Sequence, residues 1–149
     1  MLIKNKDGKV LVDTDAAPDL NEIDLRNAHF AGQIIEGGDL SDGNLQGVDF
    51  SGADLYWTCM FRAKCNGCNF RKARLAGVNL DAADLRSADF TGAYVSYDNV
   101  GGATHLEGAD LRGAKLRDAD LRGATYSCQT QFPDGVSPES AGMMRIETT

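Results

Sequence analysis

The chain has 149 residues, 42% of them hydrophobic and 25% charged, with four cysteines, two histidines and a formal net charge of −7. That is one domain's length, and it allows a sizeable core only if the core is a thin column. No apolar run approaches the roughly 18 residues of a membrane helix and no secretory signal is visible, so a soluble, cytoplasmic protein without a disulfide framework is expected.

Leu2-Ile3 and Val10-Leu11-Val12 flank a polar stretch containing Asp7-Gly8, a step that favours a β-hairpin. Thr14 to Asp19, with Pro18, reads as a linker. From Leu20 a five-residue repeat takes over. Leu80, Leu85 and Phe90 are five apart, and Val78, Ala83 and Ala88 each stand two residues before them. The frame holds from Leu20 to Val100, slips by one residue, and resumes from Leu106 to Tyr126. Every centre is apolar if Cys65 and Tyr126 count as such, and 11 of the 17 glycines lie two residues after a centre, which marks a corner there. A period of five is neither helical nor the alternation of a long strand. It suits a very short extended segment followed by a turn. In extended chain, residues two apart share a face, so each centre and the small residue before it point inward together. Four such sides would close a coil of about twenty residues, stacked on its neighbour at roughly 4.8 Å.

The units Ala83-Asp84-Leu85-Arg86-Ser87 and Ala109-Asp110-Leu111-Arg112-Gly113 resemble the A(D/N)LXX pattern of the pentapeptide-repeat protein family, over about residues 20–126. The resemblance implies an all-β fold, a right-handed quadrilateral β-helix (the pentapeptide-repeat solenoid) of about five and a half coils. Opening segments like this one, and tails in which Phe-Pro-x-Gly follows the last repeat, also occur in members of that family. The expected organisation is a hairpin cap and linker over 1–19, the β-helix over 20–126, and a C-terminal capping segment and tail over 127–149. The hairpin would cover the unpaired backbone of the first coil. Phe132 is expected to fold across the other end, and residues from Pro138 on, polar apart from Met143, Met144 and Ile146, to be loose.

Within the repeats three stretches stand out. Tyr56, Trp57 and Phe61 occupy outward positions, and exposed aromatic clusters often mark contact sites. At twenty residues per coil, Trp57, Gly77 and Tyr97 share a corner column, with Arg74 and Tyr94 along the same side. Either the large-small-large sequence leaves a shallow aromatic slot, or the rings lean over Gly77 and close it. Cys65 and Cys68 form one CxxC, but both fall at inward positions, where cysteine serves as a small hydrophobe; Cys59 is placed outward, Cys128 lies beyond the repeats, and His29 and His105 belong to distant coils, so no metal site is completed. From Tyr94 to His105 the frame is strained: Val100 to Leu106 is six residues, and Gly101-Gly102 fits a bulge. Asp98 then either points inward, with Thr104 as a candidate partner, or faces water from a bulge that begins at Tyr97.

No nucleophile and base, no carboxylate pair in a pocket and no metal set is visible, so catalysis, a cofactor and a metal are not expected. The leading reading is a non-enzymatic protein–protein interaction module of unknown partner, with Tyr56, Trp57, Phe61, Arg74, Tyr94 and Tyr97 as candidate contact residues. Direct nucleic-acid or membrane binding is not expected; a homodimer through a solenoid end is a further option. The resemblance also implies an alternative, because some pentapeptide-repeat proteins mimic B-form DNA, bind DNA gyrase and confer fluoroquinolone tolerance. Residues 25–124 carry a net charge of only −2, which is little beside a duplex with one charge per about 1.7 Å.

Overall fold

The computed structural model describes residues 2–5, 7–13 and 19–147. Between Asp19 and Gln131 the chain coils into a β-helix. Four ladders of parallel bridges run along it: from Asp19 to Thr125, from Asp24 to Gln131, from His29 to Lys115 and from Ile34 to Asp120. The rungs come at twenty-residue steps as far as Tyr94, which fits one pentapeptide to each ladder per coil. Most centres donate their N–H to the next coil, as Leu45 does to Lys64 at 2.9 Å, and the centre's carbonyl accepts a turn bond from three residues on, Val48 at 3.0 Å. The residue two after most centres takes a left-handed backbone, which suits Gly47 (φ 68°) and is imposed on Ala82 (φ 55°) and Trp57 (φ 56°). Backbone polarity is thereby satisfied between coils, and side chains are free to pack.

The core is the column the spacing predicts. Leu85 is buried completely and Ala83 beside it is 1% exposed, whereas Arg86 between coils stays in water. Asp89, the ladder residue before Phe90, is half-buried because its carboxylate accepts the Thr91 amide and hydroxyl across the turn. On the third ladder the large side chains are Phe30, Phe50, Phe70 and Phe90, stacked face to face with centroids 4.9, 5.1 and 4.9 Å apart. Cys65 and Cys68 lie buried as free thiols, Cys68 donating to the Leu45 carbonyl.

At the start, β1 (Leu2–Asn5) and β2 (Val10–Asp13) form an antiparallel hairpin, and β1 pairs antiparallel with β3 (Ala28–His29) of the first coil. Ile3 is buried against the core. Of the linker expected over 14–19, residues 14–18 lie outside the described residues, and Asp19 already bridges Asp39. At the other end, β4 (Thr125–Tyr126) pairs in parallel with β5 (Met144–Arg145), with Ile146 donating to Tyr126 at 2.7 Å. The segment beyond Pro138, expected to be loose, is therefore docked as one more rung, with Met143 buried. Phe132 packs edge-on to Tyr126 at 5.4 Å and is partly buried against the core.

The frame differs from expectation at one place. Asn79 bridges His105 and Tyr94 bridges Asp120, a step of 26 residues, so this coil carries six extra residues rather than a one-residue slip. Val100, counted as a centre, is 79% exposed, and Leu106 takes the place in the core below Leu80. Val100 has the right spacing by coincidence; the backbone around it is tied down by Asp98 instead.

Candidate functional site

The turn after the fourth ladder stacks Gly37, Trp57, Gly77, Tyr97 and Gly123 in one column along the coil axis. Trp57 donates its backbone N–H to Ala76 at 3.2 Å, and Tyr97 donates to Arg122 at 3.3 Å. The two rings share a corner, but no slot opens between them. The indole lies flat on Gly77: a Cβ there would meet three of its atoms at 3.2 Å. Tyr97 likewise leans onto the following coil, away from Gly77 and over Gly123, where a Cβ would collide with the ring. Glycine at these two positions is thus required by close approach as well as by the turn. Both rings stay prominent, Trp57 at 52% and Tyr97 at 59% exposure.

What holds Trp57 is the inserted loop. Asp98 Oδ2 accepts the Tyr56 hydroxyl at 2.5 Å and the Trp57 indole N–H at 3.1 Å. Its Oδ1 accepts the amides of Val100 at 2.9 Å and Gly102 at 2.6 Å. One carboxylate therefore closes its own loop and ties that loop to a coil some forty residues earlier. The Tyr56 hydroxyl, followed by the two amides and the indole, outweighs partial burial and holds Asp98 at a pKa of about 2. The Gly102 backbone comes so close that a Cβ would meet Trp57 at 2.8 Å. Neither expectation for Asp98 survives: it points neither into the column nor freely into water. Thr104 is not its partner; that hydroxyl donates to the Leu75 carbonyl at 2.6 Å from inside the core.

Of the residues singled out from the sequence, Tyr56, Trp57 and Tyr97 meet at this corner. Arg74 and Tyr94 are neighbouring rungs of the adjoining ladder; Tyr94 is 57% exposed, and Arg74 pairs with Asp54. Phe61 sits one corner further round, with the Arg62 guanidinium 5.2 Å above its ring, and does not join the others. Sequence reasoning missed the latch. An aspartate followed by Asn-Val-Gly-Gly has the composition of a self-bonded turn, and that signal was present.

Charge is sorted by side. The first ladder and the turn after it carry Asp19, Glu22, Asp39, Asp42, Asp81 and Glu107 against Arg62, which pairs with Asp42. Arginines elsewhere neutralise their own coils, as in Asp84–Arg86 at 2.6 Å and Asp120–Arg122 at 2.7 Å. Asp81 and Glu107 stack on successive coils. Burial and the neighbouring Glu107 push the Asp81 carboxyl up to about 6. For Glu107 burial is outweighed by hydrogen bonds from Asp81 and from Thr125 (2.8 Å), which hold its carboxyl below the usual range. His105 Nδ1 lies 3.7 Å from Glu107 and 3.1 Å from the Thr125 hydroxyl. Among the described residues no group of three or more His, Cys, Asp and Glu could hold a metal ion. Surface hollows of about 510 and 660 Å³ lie between cationic side chains on other sides, one lined by Arg86 and Arg112, the other by Arg71, Lys115 and Arg117.

Among solved structures, the chain is similar to a pentapeptide repeat protein (Rfr23) of the cyanobacterium Cyanothece 51142, with 27% identity and a TM-score of 0.60 over 66% of this chain and 63% of that one. The chain thus spans less than two thirds of that relative. A pentapeptide repeat protein of Nostoc Pcc 7120 is 26% identical over 86% of this chain and 84% of its own, with a TM-score of 0.46. QnrB1, described as a plasmid-mediated fluoroquinolone resistance protein, is 21% identical over 88% of this chain and 64% of its own, with a TM-score of 0.40. No curated protein sequence matches the chain. The family model for pentapeptide repeats matches in eight copies over residues 23–60, 63–96 and 103–125, leaving out the six residues of the inserted loop. The chain belongs to the pentapeptide-repeat family, whose members fold as right-handed β-helices.

Proposed function

We propose that this protein is a non-enzymatic protein-interaction module whose contact surface is the Trp57–Tyr97 corner. The observation that carries this reading is a tryptophan half exposed to solvent yet fixed by Gly77, Gly102 and Asp98. A large side chain already held in place loses little freedom on binding, and such aromatics dominate interface energetics. The column behind it is packed with apolar side chains and supplies a rigid platform. At the finer level of architecture, the four ladders support a square cross-section, and the pairing of β1 with β3 supports the hairpin as a cap. The test is a pull-down from the source cell with wild type and Trp57→Ala, each first shown to melt as a folded protein. Partner recovery is expected to fall at least about tenfold in the variant, the scale of one hot-spot residue. Unchanged recovery would remove this corner from consideration.

A second reading is favoured by the acidic side. Chain totals spread the charge over four sides, whereas the structure concentrates it on one, as a DNA-mimicking ligand of gyrase would need. Five net charges over about five coil steps of roughly 4.8 Å give one per about 5 Å, against about 1.7 Å for a duplex. The stripe is about a third as dense as DNA, so this reading stays second. A gyrase supercoiling assay with added protein separates the two: inhibition abolished by Asp39→Asn and Asp81→Asn favours mimicry, and no inhibition eliminates it.

A further inference from the structure

Resting on the Trp57–Tyr97 corner as the contact surface, we infer that its ligand is a basic protein segment that lays an arginine on the exposed face of Trp57 and runs along the acidic first ladder. Three observations converge on this chemistry. The first is where uncompensated acid lies. Arg74 and Arg122, the cations nearest the corner, are taken up by Asp54 and Asp120. Asp19, Glu22, Glu36, Asp39 and Asp81 have no cation partner among the described residues, and all lie on the first ladder, on its turn or at the corner itself. Only Asp49, of the other acids on the ladders, shares that state.

The second observation is the ring. With one side of the indole on Gly77, its 52% exposure belongs to the other side and its edge. Its N–H is already given to Asp98, so what the ring offers a ligand is a π face. Guanidinium stacks on such a face more readily than ammonium and is less strongly hydrated. The third is register. Glu36 precedes Tyr56 by one coil in the same turn, and it acts electrostatically on the Tyr56 hydroxyl. Asp39 begins the next side of that coil, so both carboxylates lie on the coil that precedes Trp57, on the side away from Gly77. A segment with arginine on Trp57 and further cations toward Glu36 and Asp39 meets complementary charge at each position. An acidic or purely apolar segment would leave those carboxylates facing like charge or oil, at a cost.

The experiment is calorimetric titration of the full chain with hexa-arginine, hexa-lysine and hexa-glutamate at low and physiological salt. Trp57 is the single tryptophan, so its fluorescence reports stacking directly. Hexa-arginine is expected to bind saturably, to quench Trp57, to bind at least about threefold tighter than hexa-lysine, and to weaken with salt. Trp57→Ala should lower its affinity about fivefold, and Glu36→Gln at an exposed position and Asp39→Asn, which keeps a side-chain oxygen for the Ser41 amide at a half-buried one, should each lower it about twofold or more. Absence of saturable binding overturns the inference, as does binding that none of the three variants changes, which would mark a diffuse counter-ion effect. Equal affinity for lysine and arginine without quenching overturns the stacking. If a pulled-down partner depends on Trp57 while hexa-arginine ignores it, the interaction module stands and this assignment of its ligand falls.

Discussion

Asp98 gathers two backbone amides and two side-chain donors on one carboxylate, and its titration tests that role. Its carboxyl is held at about 2 in the folded protein, below its ordinary value, by the Tyr56 hydroxyl and then by the Gly102 and Val100 amides and the Trp57 indole. A depressed carboxyl stabilises the fold above its unfolded pKa and loses that contribution as pH falls through the folded value. Asp98→Asn should therefore melt below wild type at pH 7, with the difference closing between about pH 4 and pH 2. A constant difference across that range would mean that the charge is irrelevant and only shape matters. Asp81 runs in the opposite sense. Burial and Glu107 raise it to about 6, so its contribution is present below about pH 4 and lost as pH rises through about 6. Glu107 Oε2 is buried without a partner, and a proton on Asp81 is the donor that relieves it. Asp81→Asn supplies a permanent donor and should stabilise the protein above pH 6, on the order of 1 kcal/mol once screening at a half-exposed site is allowed for, with no gain near pH 4. Denaturant titrations at the two pH values read this out.

At the scale of the repeat, the pentapeptide spends its five residues on two inward side chains, one ladder residue and a two-residue turn. Interior and exterior therefore respond very differently to truncation. Phe70 stacks on Phe50 and Phe90 and is fully buried, so Phe70→Ala should cost about 3–5 kcal/mol through the cavity it opens. Arg86 pairs with Asp84 in water, and Arg86→Ala should cost under about 0.5 kcal/mol. Equal losses in a denaturant titration would refute the frame. This regularity explains what could be read from the chain alone. The centres and their small partners follow from spacing, because extended geometry allows one inward choice per unit. Val100 deceived the same reasoning, since spacing cannot tell a buried centre from an apolar residue on a loop whose amides are met by a side chain. The aromatic slot failed for a related reason: register placed Trp57, Gly77 and Tyr97 in one column, but the direction in which each ring leans depends on Gly123 and on the loop, both set by the insertion. Charge segregation was legible in principle, by summing every twentieth residue instead of consecutive ones.

Across the whole molecule, each coil is stabilised by its neighbours, so the ends decide whether the protein stays single. The C-terminal end is covered unevenly. β5 continues the first ladder and Gln131 the second, whereas the third stops at Lys115 and the fourth at Asp120. Leu116, at the foot of the phenylalanine stack, is accordingly only partly buried. The N-terminal end differs: β1 runs antiparallel to β3, Lys4 opposite His29 and Asn5 opposite Ala28, and Ile3 adds a buried side chain to the core. As the proposed cap, an antiparallel hairpin would keep another parallel coil from adding to β3 in register. Removing residues 1–13 uncovers the β3 backbone and the apolar surface beneath Ile3 at once. The truncated protein should melt lower than the full chain and associate, with its scattering mass rising with concentration while that of the full chain stays flat. A truncated protein that remains monomeric and melts with the full chain would show that the hairpin decorates the first coil without protecting it.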